Sequence, residues 1–325
     1  MGLRWGIMGT GHIAASMAEA LDDSGSEVVA VGSPRPRAAA DFASARGIPI
    51  AVDSHADVAR LADVEIVYVA TTSDRHFDNV MASIEAGTPA LCEKPIALST
   101  SQTQRMFDEA RAADVLVVEG MWMRFLPFMD TLDRLMAEGV IGDPREFHAT
   151  LSYFVPTEAN RRWMNRSLGG GALVDLAVYP LSLCHHLFGP PDATDAVARF
   201  APTGVDLATT VVSSHAGGVV ASMTGTFDAD TANEAVISGT DGRIRLHAPM
   251  HHSPLLTVER RGHVVEEIDT GYEGSGFAFE IAEVERSVRE GLLESPRRPH
   301  ADTLAVMRWM DEIREVIGLE FPGVG

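Results

Sequence analysis

The sequence predicts an α/β protein of two domains: a doubly wound parallel sheet at the N-terminus, then an α+β domain with a large, mostly antiparallel sheet. Three observations predict it. At 325 residues the chain carries material for two cores, at roughly 100–200 residues per domain. Short apolar runs alternate with amphipathic stretches through the first third, the signature of βα units. After about residue 122 the rhythm changes to closely spaced Val/Thr/Ser-rich runs, which places the boundary between domains of residues 1–122 and 123–325.

In chain order, Leu3–Met8 reads as a buried strand, and Glu27–Val31, Glu65–Ala70, Pro89–Cys92 and Val115–Val118 continue the set. Ile13–Leu21, Pro36–Arg46, Asp74–Ala86 and Ser99–Ala113 are the helices between them. A helix near Leu126–Glu138 leads into a strand at Glu146–Phe154. From Ala193 to about Asp269, turn signals at Pro202-Thr203-Gly204, Ala216-Gly217-Gly218 and Asp241-Gly242 separate antiparallel strands. Helices at Phe277–Glu290 and Asp302–Ile317 close the chain.

Hydrophobic residues make up 46% and charged residues 22%, a globular balance. The formal charge of −20 argues against nucleic acid or anionic lipid as a partner and favours a small substrate. Two cysteines, Cys92 and Cys184, make neither a disulfide framework nor a thiolate metal site and suit a reducing compartment. No apolar run approaches the ~18 residues of a bilayer span, the first strand runs directly into a glycine turn with no room for a leader, and Met1-Gly2 lacks the Ser/Thr of a myristoylation signal. The expected location is cytoplasmic.

Gly9-Thr10-Gly11-His12-Ile13-Ala14 sits between the first strand and the first helix, where a Rossmann dinucleotide fingerprint belongs. Gly9 permits the tight turn, Gly11 admits a pyrophosphate to the backbone, and Ala14 lets helix and strand pack closely. No Gly-Lys-Ser/Thr follows, which excludes a P-loop. The second strand ends in Gly32-Ser33-Pro34-Arg35-Pro36-Arg37, without the carboxylate that binds an NAD ribose. A hydroxyl and two guanidinium groups suit a 2′-phosphate, so the expected cofactor is NADP, with NAD as the alternative. The competing reading makes Arg35 and Arg37 solvated charges at a helix start.

Glu93-Lys94-Pro95 follows a strand at the carboxyl edge of the sheet, where open α/β folds bind ligands, and Pro95 biases Lys94 away from helix. Taken alone, Lys94 reads equally as a surface charge. The segment Gly169-Gly170-Gly171-Ala172-Leu173-Val174-Asp175-Leu176-Ala177-Val178-Tyr179-Pro180 places Asp175 and Tyr179 four apart, on one face of an α-helix. A structural Asp–Tyr hydrogen bond is the alternative. Pro180 conflicts with an uninterrupted helix and predicts a kink.

Together the fingerprint, Ala70-Thr71-Thr72 with His76, Glu93-Lys94-Pro95 and Asp175-x-x-x-Tyr179 resemble the glucose–fructose oxidoreductase / inositol dehydrogenase / rhizopine-catabolism (Gfo/Idh/MocA) family. The resemblance runs from Leu3 to about Gly323. Met121–Pro127, Glu294-Ser295-Pro296 and Phe321-Pro322-Gly323 are further similar to its dimeric dihydrodiol dehydrogenase and NADP-dependent D-xylose dehydrogenase branch. The resemblance implies an open C-terminal sheet that forms homodimers or homotetramers. It implies Lys94 beside the nicotinamide and the reacting oxygen, Asp175 orienting substrate, and Tyr179 as proton donor or acceptor. Thr71, Thr72, His76 and Glu93 join the fingerprint residues as cofactor contacts. Three departures stand out: Thr72-Ser73 for the usual Pro-Asn, Pro34 where the NADP branch has Arg, and Ala177 for a glycine.

His185-His186 and His251-His252 lack ligand spacing, so no metal is expected. Cys92 reads as core. The combined reading is an NADP(H)-dependent oxidoreductase moving a hydride between nicotinamide and a hydroxyl or carbonyl carbon of a sugar, sugar derivative or cyclic diol. The rivals are an NAD-linked inositol-type dehydrogenase and a non-catalytic cofactor-binding sensor. Substrate choice is assigned to loops such as Pro156–Leu168.

Overall fold

The computed structural model describes residues 2–155 and 162–324, which divide into two compact units. Residues 156–161 of the predicted substrate loop lie outside the described residues. The first unit is Met1–Trp122 with Gly274–Thr303, the second Met123–Glu273 with Leu304–Gly325.

In the first unit β1 (Arg4–Met8), α1 (His12–Asp23), β2 (Glu27–Gly32), α2 (Ala38–Arg46), β3 (Ile50–Val52), α3 (His55–Ala59), β4 (Ile66–Val69), α4 (His76–Ala86), β5 (Ala90–Glu93), α5 (Thr100–Ala113) and β6 (Val117–Gly120) follow one another. The six strands are parallel in the order β3-β2-β1-β4-β5-β6. Order therefore reverses beside β1, and the carboxyl ends of β1, β4 and β5 flank the point where such sheets bind ligands. β4, β5 and β6 are buried throughout, as strands covered on both faces must be. Neither β3 nor α3 stood out in the sequence, because three residues and one helical turn are too short to show a period.

In the second unit α6 (Pro127–Ala137) leads to β7 (Pro144–Ser152), a π-helical turn at Leu173–Ala177 and α7 (Val178–Phe188). Then come β8 (Pro191–Phe200), β9 (Asp206–His215), β10 (Val219–Thr226), β11 (Ala235–Gly239), β12 (Arg243–Leu246), β13 (Leu255–Arg260) and β14 (His263–Asp269). The sheet runs β14-β13-β12-β11-β7-β10-β9-β8, antiparallel except for the β7–β10 pair. Gly217 and Gly218, both at positive φ, make the β9–β10 reversal that Ala216-Gly217-Gly218 predicts. Among the described residues one helical stretch, Arg166–Phe188, is long and apolar enough by composition to cross a membrane, although it contains no unbroken apolar run of that length. It is the core helix of this unit, with 83% of its apolar window buried.

The chain returns to the first unit with α8 (Phe277–Arg289) and ends in the second with α9 (His300–Ile317). Here the structure differs from the expected boundary, which left everything after residue 122 in the second domain. The reason is a set of buried polar pairs. Glu285 of α8 accepts from Trp5 Nε1 at 3.1 Å, Ser26 Oγ at 2.6 Å and the Leu3 amide at 2.9 Å. Arg298 pairs with Glu119, both almost wholly buried. A periodicity argument sees none of these long-range pairs.

Candidate active site

The fingerprint turn is built as its residue types require. Gly9 has φ 118°, and a Cβ there would stand 2.7 Å from the carbonyl oxygen of Ala70. Gly11 caps α1 without a side chain and has open space where its Cβ would be. With no side-chain cap, α1 presents the amides around Gly11, His12 and Ile13 to an anion. These residues fit a dinucleotide pyrophosphate.

At the end of β2, Ser33 is buried and its hydroxyl accepts from the Arg35 amide at 3.3 Å. The Arg35 guanidinium folds back over the fingerprint and donates to Thr10 Oγ1 at 2.7 Å. Arg35 thus reaches the fingerprint turn from the position after Pro34. Arg37 behaves differently: it takes φ 63° at the start of α2, its side chain is 86% exposed, and it sits 3.9 Å from Asp41. The two arginines are not equivalent, and Arg35 is the one beside Thr10 and Ser33.

The Lys94 turn is fixed from several sides. The Tyr68 hydroxyl, on β4, donates to Glu93, whose other oxygen accepts the Lys94 amide at 3.2 Å. His76, at the start of α4, lies between the Pro95 oxygen at 2.8 Å and the Thr71 oxygen at 3.2 Å, so it ties this turn to the one after β4. Thr71 Oγ1 accepts from Asn79 at 3.0 Å, and Thr72 precedes a single 3₁₀ turn. Glu119 accepts the Ile96 amide at 3.2 Å while held by Arg298 at 2.8 Å and Thr303 at 3.1 Å. Lys94 itself is half-buried. Glu93 and His76, expected as cofactor contacts, have their polar atoms engaged in bracing the turn.

Cys92 is fully buried, with its thiol pushed well up by desolvation, which leaves it a core residue. Sequence reasoning missed a simple signal. Of the 26 lysine and arginine residues in these 325, Lys94 is the only lysine. A chain that uses arginine everywhere else keeps an ammonium here, a compact point charge whose proton can be lost, as that of arginine cannot.

In the second unit the glycine-rich segment does not continue as one α-helix. Leu173–Ala177 is a π turn and α7 starts at Val178, which corrects the expectation that Asp175 and Tyr179 share an α-helical face. The change of pitch also resolves the conflict at Pro180. It is the third residue of α7, directly after the ladder changes from π to α pitch. Gly171 takes φ 134°, and a Cβ there would collide with Asp206 Oδ1; Gly225 of β10 lies so close to Ala177 that a Cβ would reach its amide at 2.5 Å. Asp206, fully buried, caps the turn by accepting from the Leu173 amide at 2.6 Å and from Thr209 at 2.7 Å. Nothing in the sequence marked Asp206, since the Leu173 amide it caps lies 33 residues away.

Asp175, with a 14% exposed side chain, pairs with Arg162 at 3.2 Å, and the Arg162 guanidinium lies over Trp163. Tyr179 is 7% exposed, and its ring packs on His251 at 4.9 Å, with His252 stacked edge-on behind. His186 pairs with Asp133.

Two family models match the chain: "Oxidoreductase family, NAD-binding Rossmann fold" over residues 3–121 and "GFO/IDH/MocA C-terminal domain" over residues 129–245. The trans-1,2-dihydrobenzene-1,2-diol dehydrogenase of Mus musculus is 32% identical over 331 residues, 99% of each chain. Among solved structures, KijD10, a 3-ketoreductase from Actinomadura kijaniata in complex with NADP and TDP-benzene, superposes with a TM-score of 0.88 at 26% identity, covering 98% of each chain. A levoglucosan dehydrogenase in complex with NADH and levoglucosan, 21% identical, shares the fold with a TM-score of 0.87 over 98% of each chain. A parallel sheet with a dinucleotide fingerprint, followed by a mostly antiparallel eight-stranded sheet, defines a nicotinamide-dependent oxidoreductase. The chain belongs to the Gfo/Idh/MocA oxidoreductase family.

Proposed function

We propose that the protein is an NADP(H)-dependent oxidoreductase that interconverts a secondary alcohol and a carbonyl on a sugar, sugar derivative or cyclic diol. The observation that carries the reading is the solitary lysine on a turn braced from β4, α4 and β6. When bound, the nicotinamide supplies or accepts the hydride. The pyrophosphate is held by the backbone of Gly9–Ile13, and a 2′-phosphate by Arg35 with Ser33 and Thr10. Lys94 stabilises negative charge on the reacting oxygen, Tyr179 takes its proton in oxidation and returns it in reduction, and Asp175 orients the substrate by accepting from a hydroxyl. The diol dehydrogenase relatives support a diol or sugar as the class.

The test is turnover of pentoses, hexoses, polyols and cyclic diols, trans-1,2-dihydrobenzene-1,2-diol among them, with NADP⁺ and NAD⁺. We expect reduction of NADP⁺ by at least one; no turnover with either cofactor overturns the reading.

The same reading makes the molecule a homodimer or homotetramer through the eight-stranded sheet. Val197, Val212 and Val220 stand exposed on one face of adjacent strands, beside the Thr210–Thr224 hydroxyl pair. A monomer in sedimentation would refute it.

A further inference from the structure

Behind the Lys94 turn lies a buried acid that the catalytic reading leaves unused. Glu280, on α8, is fully buried, and neither of its carboxyl oxygens is met by a hydrogen-bond donor among the described residues. A Cβ on Gly120 would lie 3.5 Å from Glu280 Oε1, and Gly120 is the register partner of Glu93 across β5 and β6. Glu280 therefore ends at the carboxyl edge of the sheet, beside the residue that precedes Lys94. The titratable and charged groups around it are Tyr68 on β4, Cys92 and Glu93 on β5, Glu119 on β6, and Arg298, which pairs with Glu119.

Charge balance decides the state of this cluster. It holds three buried carboxyls and one guanidinium, and Arg298 is committed to Glu119. Glu93 accepts from the Tyr68 hydroxyl and the Lys94 amide. Among the described residues Glu280 meets neither a hydrogen-bond donor nor an ion-pair partner, and an isolated carboxylate in such a place is costly. Burial pushes the Glu280 carboxyl well up, and the charges of Glu93 and Glu119 add to the shift. A carboxyl with no donor can still meet another carboxyl through a proton of its own, since a carboxylate oxygen accepts more than one hydrogen bond.

We propose that Glu280 is a neutral carboxylic acid that shares its proton with Glu93, and that the pair is the positioning device for Lys94. The assignment of a catalytic role to Lys94 rests on the function proposed above; the state of the pair does not. With the proton present, Glu93 is held from Tyr68 on one side and Glu280 on the other while it grips the Lys94 amide. Without it, two like charges face each other and the turn loses its brace.

Because Lys94 is the only lysine, reductive ¹³C-methylation marks it and the α-amine alone and keeps the charge. In Glu280→Leu, which has no proton to offer, we expect the Lys94 methyl resonance to move and its titration midpoint to shift by about half a pH unit or more. Glu280→Gln, whose amide can donate to Glu93, should bring both back toward wild type. Turnover should follow the same order, with kcat of the Leu variant down roughly tenfold, KM for NADPH within about threefold, and Gln rescuing most of the loss. An infrared carboxylic-acid band at neutral pH should be present in wild type and missing in Glu280→Gln.

Should the Leu variant not fold, urea unfolding of the Gln variant decides. The folded-state carboxyl binds its proton above the unfolded value of about 4.3, so wild-type stability falls as pH rises from there towards the folded pKa. The Gln variant lacks that slope. Unchanged Lys94 resonances in Glu280→Leu, no difference in the infrared band, or equal pH slopes overturn the proposal. These readouts need no substrate, so their failure is distinct from a screen that finds no turnover.

Discussion

The Lys94 turn and the Tyr179 helix carry the two halves of the proposed chemistry, and they are held in place by opposite means. Around Lys94 the work is done by polar side chains gathered from distant strands: Tyr68, Glu93, His76, and Glu119 with Arg298. Around Tyr179 it is done by close approach at glycine, with Gly171 against the Asp206 side chain and Gly225 against the Ala177 backbone leaving no room for a Cβ, and a π turn resetting the helix pitch. Asp206 adds a buried polar brace there, accepting from the Leu173 amide. A hydrogen-bonded turn fails when a partner is deleted, whereas a close-packed turn fails when an atom is added. Substitutions of opposite character should therefore disable the two regions.

The largest effect belongs to Lys94. Lys94→Met should lower turnover by about 10²–10⁴ while the dissociation constant for NADPH stays within several-fold, because the proposed pyrophosphate contacts are those of Gly9–Ile13. Lys94→Arg sharpens the comparison, since it keeps the charge but not the compact ammonium; we expect a loss of the same order. Near-normal steady-state rates in either variant would remove Lys94 from the chemistry.

Tyr179→Phe comes next. It deletes one hydroxyl and keeps the ring that packs on His251, so turnover should fall about 10²-fold with a change in Tm of only a few degrees. A sharp drop in Tm with normal turnover of the folded fraction would make Tyr179 a core residue.

Gly225→Ala tests the close-packed side of the comparison. Its added methyl meets the Ala177 backbone, not a flexible side-chain tip, and should cost about 1–3 kcal/mol in urea unfolding. If the variant is as stable as wild type, backbone contact is not what holds the π turn.

How far the sequence could be read follows the same division. The alternation in the first third and the Gly9–Ala14 spacing gave strand, turn and helix together, because each rests on neighbours in the chain. The braces of Lys94 could not be read, since Glu119 and Arg298 are 179 residues apart, and only the fold makes them partners. The solitary lysine was legible by counting. Leu173–Ala177 was misread as α-helix because apolar spacing does not separate a π turn from an α turn; the misfit of Pro180 was the sole sign of it. The return of α8 to the first unit was hidden for a similar reason, as Glu285 finds Trp5 and Ser26 more than 250 residues away.

Cofactor choice gives the smallest effects and separates two neighbouring arginines. Arg35 lies over the fingerprint on Thr10, close to buried Ser33, while Arg37 points to solvent beside Asp41. A charge-assisted bond from guanidinium to a 2′-phosphate contributes about 1.5–3 kcal/mol, so Arg35→Ala should weaken NADPH binding roughly ten- to a hundredfold. NADH has no phosphate for Arg35 to hold, and its affinity should change by less than about threefold. Arg37→Ala should move either constant by less than about twofold, because an exposed pair at 3.9 Å is worth little. Fluorescence titration of both cofactors against wild type and the two variants measures all six constants. Equal losses in the two variants would mean that the fold-back of Arg35 onto Thr10 is irrelevant to the phosphate; a wild type that binds NADH as tightly as NADPH would mean that the residues closing β2 read the ribose and not its phosphate.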